Sequence, residues 1–152
     1  MASAQTEYDW ERNYVEPKAQ GFLSREECLA YVSRSAKMAR IETPKVRFAK
    51  AASMPCRAVP AKWEIVIADW GRTPVTVLHE MAHLAAVRSM APGEDGHGPT
   101  FLAWACAFYS VFLGLDHDYL VRTAAALGMP VARIPFSSTG PVPAKGFSDV
   151  EF

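Results

Sequence analysis

The stretch "TPVTVLHEMAHLAAVR", residues 73–88, holds two histidines and a glutamate inside five positions. Its first two residues mark where a helix starts. Thr73 is a good N-cap, because its hydroxyl can accept a hydrogen bond from a free amide of the first turn. Pro74 takes the first helical position, where a missing N–H costs nothing. A helix from 74 to about 90 follows, broken by the proline and glycines of "APGEDGHG", residues 91–98.

On that helix His79 and His83 leave the same face, one turn apart. The rise between them is about 6 Å, a gap that two inward-leaning rings can close around one Zn²⁺ at bonds of ~2.0–2.1 Å. Glu80 lies about 100° round from His79 and about 60° from His83. It is beside the metal but badly placed as a ligand, which suits a general base acting on metal-bound water. HExxH on a helix is the zincin pattern. The plainer alternative is a helix carrying two partly buried, hydrogen-bonded histidines.

A catalytic zinc takes three protein ligands and keeps one position open. The metzincin spacing would need a glycine and a histidine where this chain has Ala86 and Ser89. A glutamate from a later helix is excluded, since none lies between Glu94 and Glu151. The remaining candidates are Glu94, Asp95, His97, Asp116, His117 and Asp118. His97 is favoured, because the chain reverses at "GHGPTF" and Gly96 and Gly98 permit unusual backbone angles there. Glu94 and Asp95 read as solvated loop acids or as partners that orient a ligand ring. Asp116 reads as an N-cap, and His117 as an exposed residue near a helix start.

"HEMAHL" followed thirteen residues later by "HGPTF" resembles the SprT-like metalloproteases, whose pattern is HExxH with a third histidine in an HGxxF-type segment. It is also similar to small uncharacterised metallohydrolases of bacteria and phages that share the HGPxF form. The resemblance spans Trp63 to Phe112. It implies His79, His83 and His97 as zinc ligands, Glu80 as catalytic acid/base, and Phe101 as a packing residue. It also implies that the strand Trp63–Asp69 is the active-site edge strand, against which an extended peptide could pair. Nucleic acid enters as a partner by this resemblance alone.

Composition bounds the rest. The chain has 152 residues, enough for one domain, and half are apolar. Lys+Arg and Asp+Glu balance at 16 each, so global charge gives no support to nucleic-acid or anionic-membrane binding. Cys28, Cys56 and Cys106 are odd in number and contain no CxxC pair, which excludes a cysteine zinc ribbon and fits free, buried or half-buried thiols. The N-terminus is charged throughout, unlike a signal peptide, and no apolar run reaches the ~20 residues of a membrane helix. A cytoplasmic protein is expected. Tyr109 and Tyr119 read as half-buried core residues with the hydroxyl at the surface.

Along the chain, residues 1–22 form a polar lead-in that orders only by docking on the body. Ser24 and Glu27 have capping-box spacing before a helix from about 25 to 40. Val46 to Ala49 and the proline-flanked segment 53–61 read as a short strand and an edge or loop segment. "KWEIVIADW" alternates Trp63, Ile65 and Ile67 against Glu64, Val66 and Ala68. Helices follow from Pro99 to about Leu113 and from Asp116 to Leu127.

The expected fold is α+β: a small zincin-like domain over residues 23–136, with a short, mostly antiparallel sheet packed on the HExxH helix and further helices. A flexible tail follows at 137–152. The expected function is a zinc-dependent metallohydrolase, most simply a metallopeptidase acting on a protein or peptide, with Glu80 as base. The alternative is a non-catalytic binding module with a structural zinc site. A weaker one is an inactive nucleic-acid-associated protein. Oligomeric state is not legible.

Overall fold

Twelve of the thirteen residues of the HExxH helix are buried. That is the pattern of a helix covered on all sides rather than one with an apolar stripe. The computed structural model describes residues 4–50 and 54–133. The expected tail at 137–152 lies outside them. The fold is α+β, as expected. In chain order its elements are α1 (Ala4–Trp10), α2 (Arg25–Ala39), β1 (Lys45–Ala49), β2 (Arg57–Val59), β3 (Glu64–Ala68), α3 (Pro74–Ala86), α4 (Pro99–Leu113) and α5 (His117–Ala126). α3 is packed by α2, α4, β2 and β3.

Local chemistry sets the helix ends. The Thr73 hydroxyl accepts the Thr76 N–H at 3.2 Å and starts α3 at Pro74. The Ser24 and Glu27 side chains each accept the other's backbone N–H, a reciprocal capping box that starts α2. Gly114 adopts a left-handed conformation, φ 70°, and stops α4.

The sheet has the order β1-β3-β2. Ile65 and Ile67 face the helical core, and Val66 packs on the other side with Ala49 and Val59, so the alternation read in this strand holds. Two sheet expectations are corrected. The sheet is mixed, not mostly antiparallel: β1 runs parallel to β3 with Lys45 opposite Glu64, while β2 runs antiparallel with Arg57 opposite Val66. A tight turn at Pro60–Lys62, with Trp63 in the left-handed region, makes the β2–β3 reversal, whereas β1 reaches its place by a crossover. In addition, β3 is the central strand, so Trp63–Asp69 is not an edge and a peptide cannot pair with it. The sheet edge that packs against α3 is β2.

The N-terminal boundary also moves. Residues 4–18 are helical, with α1 widening into a π-helical turn at Glu11–Val15. Trp10 and Val15 belong to the same core as α3 and α4, and the Trp10 indole N–H donates to Thr123 Oγ1 at 2.9 Å. A division at residue 22 therefore separates nothing physical. Cys28 and Cys106 are buried free thiols and Cys56 is a half-buried one. No helix among the described residues is long and apolar enough to cross a membrane.

Candidate metal centre

The three histidines picked from the sequence converge on one point. Nε2 of His83 lies 3.2 Å from Nε2 of His79 and 3.2 Å from Nε2 of His97, and the third side of the triangle is 3.3 Å. Donor atoms arranged tetrahedrally at bonds of ~2.0–2.1 Å stand about 3.3 Å apart. The triangle therefore has the size of one face of a tetrahedral metal site, and these residues could hold a metal ion. All three rings rest on Phe101, at centroid distances of 4.9, 4.3 and 5.0 Å from His79, His83 and His97. Phe101 is the packing residue it was read as.

The loop from α3 to α4 delivers His97. Gly93 takes the left-handed turn, with φ 78°. Gly98 keeps a negative φ of −79°. Gly98 is required instead for close approach, since a Cβ there would lie 2.9 Å from the Asp95 carbonyl oxygen. Asp95 accepts the His97 N–H at 2.8 Å. Glu94 is not merely solvated: its carboxylate accepts from the N–H of Ala91 and from both the N–H and the hydroxyl of Thr100. Both acids shape the loop, and neither joins a metal-capable group among the described residues. Asp116 caps α5 by accepting the Asp118 N–H, and Asp116, His117 and Asp118 are all exposed.

The residues that sequence reasoning missed come from the N-terminus. His79 Nδ1, on the side of the ring away from the triangle, lies 2.8 Å from a carboxylate oxygen of Glu11. The Tyr109 hydroxyl donates to that same oxygen. Tyr109 is fully buried, so its hydroxyl is not at the surface as read. This carboxylate–histidine pairing fixes the ring and its tautomer, leaving Nε2 free to face a metal. Glu7, one turn before Glu11, is also fully buried, with Oε1 3.8 Å from His79 Nδ1 and 3.7 Å from His97 Nε2. Glu7, Glu11 and His79 make a second metal-capable group. Tyr8 stacks on His79 at 5.7 Å and meets His97 edge-on at 5.4 Å, covering the rings from the α1 side. The signal available was the four-residue spacing of Glu7 and Glu11 on one helix face beside Trp10, but nothing local says that this face meets His79.

Burial and charge tune each group. Burial pulls the His79 ring towards neutrality, but the carboxylates of Glu11, Glu7 and Glu80 outweigh it and raise its pKa to about 10. Burial pushes the Glu11 carboxyl up, and the charge and hydrogen bond of His79 more than reverse this, so it stays ionised. Burial, then the charge of Glu11, pushes Glu7 up to about 10. Burial, followed by the charge on His79, lowers His97 to about 4 and takes His83 well below its ordinary value. Two of the three rings are thus uncharged at neutral pH, the form in which an imidazole nitrogen can bind a metal.

Glu80 is buried, with Oε1 shielded and unpartnered. Burial raises its pKa to about 7 against the opposing pull of His79 and the Ala58 backbone. With His79 it lines a cleft of about 340 Å³, also walled by Tyr8, Glu11, Cys56 and Trp70.

No family model, curated protein or solved structure matches the chain. The metal-capable geometry rests on the chain's own residues.

Proposed function

We propose that this chain is a zinc-dependent hydrolase, acting most simply on peptide bonds. The observation that carries the reading is the near-equilateral Nε2 triangle of His79, His83 and His97 beside the cleft that Glu80 lines. Three imidazoles with a fourth position left over are a donor set suited to catalytic zinc. The ion, when bound, supplies a Lewis acid that polarises a carbonyl and brings the pKa of a coordinated water towards ~7.

The chain's residues do the rest. Glu11, held by Tyr109, keeps the His79 ring oriented. Glu80 receives the proton, and a carboxylate tuned to about 7 is matched to that task at neutral pH. Tyr8 and Trp70, both partly exposed, offer aromatic walls for substrate side chains. The β2 edge, beside α3, takes over from β3 as the strand with which an extended peptide would pair.

Metal analysis beside a hydrolysis assay on unfolded casein tests this. One zinc per chain is expected, with Glu80→Gln retaining the metal and losing hydrolysis. A protein that takes up no zinc when it is supplied would sink the reading. A second reading, a non-catalytic zinc site that ties helices together, is favoured by the buried Glu7 carboxyl near His97. On that reading chelation unfolds the protein and Glu80→Gln changes nothing.

A further inference from the structure

The cleft that Glu80 lines also holds a hydroxyl that nothing in the fold uses. Tyr8, Glu11 and Arg12 follow the i, i+3, i+4 spacing of one helical face, and that face lines the cleft. On it Glu11 is locked to His79 at 2.8 Å. Tyr8 is placed by the ligand rings themselves. It stacks on His79 at 5.7 Å with the planes 12° apart, and meets His97 edge-on at 5.4 Å. It is nevertheless 46 % exposed, and its hydroxyl has no hydrogen-bond partner among the described residues.

Hydrolysis of a carbonyl bond has a use for such a donor. When water adds to the carbonyl carbon, the new O–C bond forms and the water proton passes to Glu80. The carbonyl π pair then moves onto its oxygen, which becomes an oxyanion. A fixed hydrogen-bond donor at that oxygen lowers the barrier. The other donor-bearing side chains of the cleft are engaged. The Trp70 indole N–H donates to the Met54 carbonyl at 3.0 Å. The Thr76 hydroxyl pairs with that of Thr73 at 3.0 Å, and Arg12 turns to Asp9 at 3.4 Å. Cys56 is a weak donor whose sulfur already accepts the Ala68 N–H. Tyr8 combines a free hydroxyl with direct contact to two candidate ligands, and a phenol of pKa about 10 keeps its proton at neutral pH.

We propose that Tyr8 is a catalytic residue whose hydroxyl donates a hydrogen bond to the substrate carbonyl oxygen as that oxygen becomes an oxyanion. The inference rests on the hydrolase reading given above and deepens it by adding a second residue to Glu80. The phenol keeps its proton throughout. Glu80 returns the water proton to the leaving group as the bond to carbon breaks, and the electron pair on oxygen re-forms the carbonyl. The Tyr8 ring stays a wall of the cleft, so its packing and its chemistry can be separated by removing the hydroxyl alone.

The test compares the full chain and Tyr8→Phe, both loaded with zinc, on the peptide bond that wild type cleaves in unfolded casein. Metal content and urea midpoint should match, because the hydroxyl bonds nothing in the fold. The kcat should fall about 100-fold, the loss seen when one oxyanion donor is removed, with KM little changed. A phosphinic peptide of the same sequence, whose tetrahedral centre carries an anionic oxygen, gives a readout without turnover. Tyr8→Phe should bind it at least about tenfold more weakly in a calorimetric titration. Equal kcat and equal phosphinate affinity in the two proteins would overturn the assignment, as would a raised KM with kcat unchanged. Either result leaves Tyr8 as a wall of the cleft and the Glu80 reading standing. A wild type that binds zinc and cleaves nothing would remove the hydrolase reading, and this inference with it.

Discussion

The Nδ1 of His79 is held 2.8 Å from a carboxylate oxygen of Glu11, a residue 68 positions earlier in the chain. The pair joins the N-terminal segment to the HExxH helix, and Tyr109 anchors it from α4. Glu11→Gln should therefore weaken zinc binding by roughly 10–100-fold, the usual effect of removing the group that orients a ligating histidine. Tyr109→Phe should weaken it less, since the carboxylate remains. Competition against a chromophoric chelator measures both, and equal affinity in wild type and Glu11→Gln would count against the role.

The protonation states make a pH prediction whose sign depends on the metal. In the metal-free protein His79 titrates at about 10, above its ordinary 6.5, because nearby carboxylates outweigh its burial. Burial and Glu11 raise Glu7 from 4.5 to about 10. A raised folded pKa gives stability that is fully present below the unfolded value and is lost as pH rises through the folded one. Metal-free protein should lose stability between pH 7 and 10, by at most about 1.4 kcal/mol per pH unit for each group. Metal requires His79 neutral, so zinc binding at pH 7 should expel its proton and tighten as pH rises. Thermal melts at pH 7, 8 and 9 with and without zinc check this. A metal-free Tm that climbs across that range would contradict it.

His97 and its two acidic neighbours should separate cleanly. His97→Ala removes a corner of the triangle and should abolish stoichiometric zinc. Asp95→Ala loses one hydrogen bond to the His97 N–H and should keep zinc with reduced affinity. Glu94→Ala frees three donors at Ala91 and Thr100 and should destabilise the fold by about 1–3 kcal/mol. Metal content and urea melts distinguish the three, and zinc retained in His97→Ala would exclude it as a ligand.

The N-terminal segment should matter to stability as well as to the site. Trp10 is fully buried and hydrogen-bonded to Thr123. Trp10→Ala should cost about 3–5 kcal/mol, the range for emptying a large aromatic site in a core. A urea midpoint unchanged within error would mean that residues 4–18 dock only weakly.

Much of the centre was legible because it is local. Thr73 and Pro74 start a helix wherever they stand, and two histidines four residues apart must share its face. His97 was reachable because it lies only 14 positions beyond His83, across a glycine-rich reversal. The alternation in β3 likewise assigned Ile65 and Ile67 to one face and Val66 to the other. Glu7, Glu11 and Tyr109 were not legible in the same way. Acids in a charged N-terminal stretch look solvated until the chain folds over them, and a tyrosine hydroxyl carries no mark of the partner it will meet.

By itself the sequence determined helices α2 to α5 with their caps, the α+β class and the shared face of His79 and His83, since each follows from dihedral preference or spacing along a few turns. Only the tertiary structure decided that β3 is central, that β1 runs parallel to it, and that α1 packs over the His79 and His97 rings with Tyr8. Those features depend on which distant segments bury each other's surfaces, and that is a property of the packed chain rather than of any one stretch of it.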